Sequence, residues 1–144
     1  MSTPEDRYLA HGIRDFVTQM KRRLRKTLSN PEQLSVAELN VVSLLMDAPE
    51  MRPSELGEQL HISSQFMSQV LNRLHELGYI SRKPSPADRR KMLVSLTQRG
   101  RNKVLQTRQE REDWLTELIA RRYTAEEKAT IQRAIELLSI LPNP

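Results

Sequence analysis

The sequence predicts a mainly α fold carrying one small β-hairpin, and three observations predict it. Apolar residues recur every three or four positions over most of the chain, the signature of amphipathic helices. Only two short stretches, Tyr79 to Lys83 and Lys91 to Leu96, read as strands. The composition, 38% hydrophobic, 28% charged and 4% aromatic, belongs to a surface-rich helical protein. With 144 residues there is room for one domain with a modest core, expected over 1–144.

The elements follow in order. From about Glu5 to Leu28, Leu9, Ile13, Phe16, Val17, Met20, Leu24 and Leu28 stripe one side of a long charged helix, which Asn30 and Pro31 break. Ser35 and Glu38 form a capping box that opens a second helix through "VAELNVVSLLMD", closed by Pro49. The segment "RPSELGEQLHISSQFMSQVLNRLHELGYI" reads as two short helices joined by a tight turn. Pro53 suits the first turn of the leading helix, with Leu56, Leu60 and Ile62 facing inward, and Gly57 lets the two helix backbones approach. Ser63 caps the next helix; Phe66, Val70, Leu71, Leu74 and Leu77 form its apolar face, and Gly78 ends it in the left-handed conformation.

The two strands come next. Pro84 and Pro86 keep the segment between them out of any ladder, so it projects as a loop. Thr97 caps a long helix to about Arg122, charged at first and apolar at Trp114, Leu115, Leu118 and Ile119. Thr124 and Glu127 form another capping box, and Ile131, Ala134, Ile135, Leu138 and Leu141 stripe a last helix ended by Pro142 and Pro144. The region 35–100 is thus a helix-turn-helix followed by a hairpin, a winged helix-turn-helix. The helices at 5–28 and 101–141 carry apolar stripes that one small core cannot cover, and a second copy of the chain is the simplest cover.

Charge singles out the middle of the chain. From Arg52 to Lys103 there are ten Lys/Arg against four Asp/Glu, whereas the remainder holds thirteen against fourteen. The whole net charge of +5 therefore sits in the winged region, which suits an anionic partner. The outward side of the second short helix offers Ser64, Gln65, Ser68, Gln69, Asn72 and Arg73, beside its cap Ser63. Gln and Asn bond adenine bidentately, Arg bonds guanine, and Ser bonds base edges or phosphates. An isolated helix with this face would be an ordinary solvated one; its place in a helix-turn-helix in the most basic third favours DNA.

The stretch "SPADRRKMLVSLT" supports the same choice. Arg89, Arg90 and Lys91 stand at the tip of the wing, with Arg82 and Lys83 on its first strand, and an arginine there can enter the minor groove, where negative potential is focused. A free Asp88 would repel DNA, so it pairs with Arg89 or Arg90 and shapes the loop. The cluster "KRRLRK" at 21–26 is read as a solvated helix end, its cations favourable near the C-terminus.

These residues resemble the MarR family of winged helix-turn-helix regulators. The family's wing motif is matched by Asp88, Arg90, Leu96 and Thr97, and "SELGEQLHISSQFMSQVLNRLHELGYISR" follows its helix-turn-helix pattern. Gly57 replaces a commoner Ala, and His61 stands where the turn often has Gly or Asn, a position His tolerates in a left-handed turn. The resemblance implies that Arg90 is the minor-groove arginine, that Asp88 holds the wing by a salt bridge, and that the helix from Ser64 to Leu77 lies in the major groove. It also implies a homodimer on a pseudo-palindromic operator of double-stranded DNA, and a repressor released by a small aromatic carboxylate or phenol. His11, Arg14 and Arg52 could grip such an anion, though each also suits an ordinary surface or interface position.

Other classes find less support. There is no Gly-rich phosphate loop, no nucleophile elbow and no paired histidine spacing, and His11, His61 and His75 lie on different elements. No catalytic residue, metal or cofactor is expected. The absence of cysteine excludes disulfides and thiol switches. No apolar run approaches the roughly 20 residues of a membrane span, and "MSTPEDRYLAHG" lacks the apolar stretch of a signal peptide, so a cytoplasmic location is expected. Two alternatives to a sequence-specific regulator are a winged helix docking an acidic protein surface and a nucleoid-type binder without sequence preference.

Overall fold

A computed structural model of the chain describes residues 1–27 and 29–142; Leu28 and Pro144, expected in the first helix and after the last one, lie outside the described residues. Six helices and one hairpin follow in the order α1 (Pro4–Lys26), α2 (Val36–Asp47), α3 (Pro53–Leu60), α4 (Ser64–Glu76), β1 (Ile80–Pro84), β2 (Met92–Leu96), α5 (Gln98–Arg122) and α6 (Ala125–Leu138). They form two compact units. One holds residues 28–109; the other holds 1–27 and 110–144, so α5 contributes its first half to the former and its second half to the latter.

Within 28–109 the sequence-encoded caps are all made. The Ser35 hydroxyl accepts from the Glu38 N–H at 3.1 Å while the Glu38 carboxylate accepts from the Ser35 N–H at 2.7 Å. Ser63 caps α4 through the Phe66 N–H at 3.2 Å. The end of α4 is a Schellman turn: Gly78 has φ of 77°, its N–H bonds the His75 carbonyl, and the Tyr79 N–H bonds the Leu74 carbonyl. His61 closes α3 with φ of 54°, a left-handed conformation that histidine tolerates.

One cluster makes the core of this unit, drawing Val41, Val42 and Leu45 from α2, Leu56 from α3, Met67, Val70, Leu71 and Leu74 from α4, Ile80, Val94 and Leu96 from the hairpin and Val104 from α5. The face of α4 differs from the expected one by a rotation. Met67 is buried and Phe66 is exposed, because the inward direction is set by 67, 70, 71 and 74, not by 66.

The hairpin is antiparallel, running from Ile80 opposite Leu96 to Pro84 opposite Met92. Pro84 therefore occupies the last rung of the ladder, where the sequence reading had excluded it; a proline at a strand end loses no necessary N–H bond. Met51 adds a further rung: its N–H and carbonyl pair with the carbonyl and N–H of Val94 at 3.0 and 2.8 Å. Gly57 serves the turn, not a helix–helix approach, since a Cβ there would stand 2.9 Å from the Ile62 carbonyl oxygen. Gly100 is tighter still, because a Cβ would overlap the Tyr79 carbonyl oxygen.

In the other unit α1 begins at Thr3, which forms a capping box with Asp6 behind Pro4. Thr124 and Glu127 cap α6 as expected. Neither α1 nor α6 buries a residue: Tyr8, Leu9, Phe16, Val17, Ile135, Leu137 and Leu138 are all exposed.

Candidate nucleic-acid interface

Burial of Met67, Val70, Leu71 and Leu74 fixes what α4 turns outward. At 3.6 residues per turn, Gln65, Gln69 and Asn72 fall on the opposite side, with Ser64 and Ser68 on one flank. All five are exposed. The Ser68 hydroxyl donates to the Ser64 carbonyl at 3.1 Å, so its hydrogen is engaged and its lone pairs face out. Asn72 is oriented from outside the helix: the Arg82 guanidinium donates to its side-chain carbonyl at 2.8 Å. That bond leaves the Asn72 NH2 pointing away as a donor and ties the root of the hairpin to α4. The Arg82 Nε is buried without a hydrogen-bond partner among the described residues, so the guanidinium is held by one good bond and by packing.

Arg73 behaves differently from its neighbours on α4. Its guanidinium reaches the carbonyl oxygens of Glu32 at 2.6 Å and Gln33 at 3.4 Å and lies 3.4 Å from the Glu38 carboxylate. The loop it grips is shaped by Asn30, whose side-chain amide bonds both the N–H and the carbonyl of Leu34 at 2.8 and 2.9 Å, with Gln33 in the left-handed region at φ of 55°. Arg73 thus braces α4 against the start of α2.

A buried cluster stands behind this brace. The Tyr79 hydroxyl donates to one Glu32 carboxylate oxygen at 2.6 Å, and Lys103 donates to the other at 3.2 Å and to the Ser29 carbonyl at 3.3 Å. The Tyr79 bond, a backbone N–H and Lys103 together push the Glu32 carboxyl down to about 2 against its desolvation. Burial, with the bond to Glu32, raises the Tyr79 hydroxyl above its ordinary value. Arg99 lies over the Tyr79 ring, 5.5 Å from its centroid. Nothing in the sequence periodicity marks Glu32, Tyr79 and Lys103 as partners, separated as they are by dozens of residues.

At the tip of the wing, Asp88 takes Arg90. Its Oδ1 accepts the Arg90 backbone N–H at 3.0 Å and lies 3.6 Å from the Arg90 Nε, while the Lys91 N–H bonds the Asp88 carbonyl at 2.9 Å. The Ser85 N–H bonds the Lys91 carbonyl at 2.7 Å and closes the loop. The Arg90 side chain remains 95% exposed. Arg89, Lys91 and Lys83 are exposed as well, so the tip presents a cluster of cations on a loop whose backbone is internally bonded.

Of the three residues suggested for an anionic ligand, His11 and Arg14 are neighbours on α1, 3.3 Å apart, with His11 also 3.2 Å from Asp15. Arg52 belongs to the other unit and is paired with Glu55 at 2.8 Å, an interaction that lowers the Glu55 carboxyl.

Residues 32–91, the braced loop through the wing tip, match the sequence model of the MarR family. The chain is 30% identical to the multiple antibiotic resistance protein MarR of Salmonella typhimurium over 127 residues, 88% of this chain and 87% of that one. It belongs to the MarR family of winged-helix transcriptional regulators. Among solved structures, a Pseudomonas aeruginosa transcriptional regulator superposes with a TM-score of 0.81 at 29% identity, covering 99% of each chain. A mutant of MarR from Escherichia coli, complexed with operator DNA, superposes with a TM-score of 0.61 at 26% identity over 95% of this chain and 99% of that one. This MarR-family chain is accordingly a DNA-binding transcriptional regulator and not an enzyme. Among its described residues no helix is long and apolar enough to cross a membrane.

Proposed function

We propose that the chain is a homodimeric, sequence-specific operator-binding repressor. The observation that carries the reading is the pairing of two surfaces in the unit 28–109. The exposed polar face of α4 (Gln65, Ser68, Gln69, Asn72) is joined through the Asn72–Arg82 bond to a wing tipped by Arg89, Arg90 and Lys91. α4 fits the major groove, where Gln and Asn distinguish base pairs. Arg90, positioned by Asp88 and almost fully exposed, is assigned to the adjacent minor groove. Arg89, Lys91, Lys83 and Ser63 to Ser64 are assigned to phosphates. Arg73 and Arg82 act by holding α4 and Asn72.

Dimerisation is supported by the uncovered apolar side chains of α1 and α6, which a monomer would leave in water. A twofold dimer places two α4 helices on half-sites about one helical turn, ~10 bp, apart, hence a pseudo-palindromic operator. The repressor role, and release by a small aromatic carboxylate or phenol, rest on the family resemblance alone.

Selection of bound duplexes from a random pool, followed by fluorescence anisotropy on the recovered sequence, tests the reading. Enrichment of an inverted repeat, and affinity falling steeply with salt, are expected. A pool without enrichment would return the chain to the nucleoid-type class, and absence of duplex binding would favour the protein-docking class. Sedimentation equilibrium giving a monomer at micromolar concentration would refute the dimer. Titration of the complex with a benzoate and phenol series tests release, and undiminished anisotropy throughout would refute it.

A further inference from the structure

We infer that Phe66 is a specificity-determining residue that packs on the 5-methyl group of a thymine in the major groove, an inference that rests on the operator-binding reading above. The ring is 46% exposed, although Met67 beside it is 1% exposed. In the unit 28–109 the other aromatic side chain, Tyr79, is buried and bonded to Glu32, so Phe66 is the one aromatic ring this unit turns to solvent among its described residues. It lies in the first turn of α4, where its N–H is already satisfied by Ser63. The first turns of a recognition helix are the part that meets base edges.

The surroundings of the ring narrow its partner. With the inward direction of α4 fixed by its four buried residues, Phe66 stands about a quarter turn from the outward centre line, beside Gln65 and Gln69. A partner protein would be met by a contiguous apolar patch, yet the outward face that borders the ring carries the amides of Gln65 and Gln69. A lone apolar group within a hydrogen-bonding face is the complement of a base-pair edge, where hydrogen-bonding groups surround the thymine methyl, the only apolar substituent of the major groove. The amides then read hydrogen-bonding positions while the ring separates T·A from C·G at one neighbouring pair.

The test uses the full-length chain and the duplex recovered from the random pool. Each thymine is replaced in turn by deoxyuridine, which deletes only the methyl, and affinities are read by anisotropy for the wild type, Phe66→Ala and Phe66→Leu. One thymine per half-site is expected to weaken the wild type about fourfold when it loses its methyl, the worth of one buried methyl group. Phe66→Ala should bind the thymine and deoxyuridine duplexes equally, and Phe66→Leu should keep part of the discrimination. Because the ring is half-exposed, both variants should retain the wild-type circular dichroism and salt dependence. If every replacement costs wild type and Phe66→Ala alike, or if none costs the wild type anything, the assignment is overturned while the operator-binding reading stands. A pool without enrichment would overturn both.

Discussion

Replacing Glu32 by Gln removes the charge on which Tyr79 and Lys103 converge, and the consequence is large at neutral pH and small in acid. In the folded chain the Glu32 carboxyl is pushed down to about 2 from its ordinary 4.5, first by the Tyr79 hydroxyl, then by a backbone N–H, and with a contribution from Lys103. At about 1.4 kcal/mol per unit this corresponds to roughly 3 kcal/mol of preference for the charged form. The side chain keeps 24% of its surface in water, which screens part of that, so about 2 kcal/mol is the effect to expect at pH 7. Because the folded value lies below the unfolded one, the stabilisation is complete above pH 4.5 and disappears as pH falls towards 2. Urea unfolding followed by circular dichroism at fixed protein concentration, for wild type and Glu32→Gln at pH 7, 4.5, 3 and 2, gives the difference directly. It should be near its full value at pH 7, clearly reduced at pH 3 and small at pH 2, where the wild-type carboxyl is already half protonated in the folded chain and almost wholly so in the unfolded one. Tyr79→Phe, which deletes the first cause, should move this loss to higher pH. A difference between wild type and Glu32→Gln that stays constant from pH 7 to pH 2 would refute the charged cluster.

Three further outcomes are expected. Arg90→Ala should weaken operator binding at moderate salt and flatten its salt dependence by about one unit of slope, whereas Asp88→Asn should weaken it less, by loosening the loop; equal affinities of Arg90→Ala and wild type would remove the minor-groove role. Gly100→Ala should destabilise the chain by more than about 2 kcal/mol in urea unfolding, because its methyl overlaps the Tyr79 carbonyl and forces α5 away from the end of α4. Arg73→Ala should cost about 2 kcal/mol of stability, since Glu38 is left buried and the Glu32 and Gln33 carbonyls lose their donor; an unchanged unfolding midpoint would show that the brace is not used.

Much of this was legible along the chain because it depends on neighbours in sequence. Ser35 with Glu38, Ser63, Thr97, Thr124 with Glu127, and the left-handed His61 and Gly78 act within a few residues, so their roles are local and visible. The Thr3–Asp6 capping box is of the same local kind. The side of α4 that Phe66 takes is not legible in the sequence, because two adjacent large apolar residues, Phe66 and Met67, leave the phase of a 3.6-residue repeat ambiguous by one position. The sequence likewise places Arg73 on the outward face, whereas its side chain turns back to the Glu32 and Gln33 carbonyls. Its backbone position is on that side, but a long side chain can fold back to an acceptor that only the tertiary structure supplies.

The sequence by itself determined the order of the elements, their caps, the winged helix-turn-helix, the concentration of positive charge in it and the family to which it belongs, since each is written in spacing or in a local motif. The tertiary structure decided which arginine Asp88 holds, which way Asn72 presents its amide, and that Glu32, Tyr79 and Lys103 form one buried cluster. The physical reason is range. A cap or a turn is settled by sterics and hydrogen bonds within one turn of chain, whereas a carboxylate bonded to a buried lysine 71 positions away exists only after α4, α5 and the loop before α2 have packed.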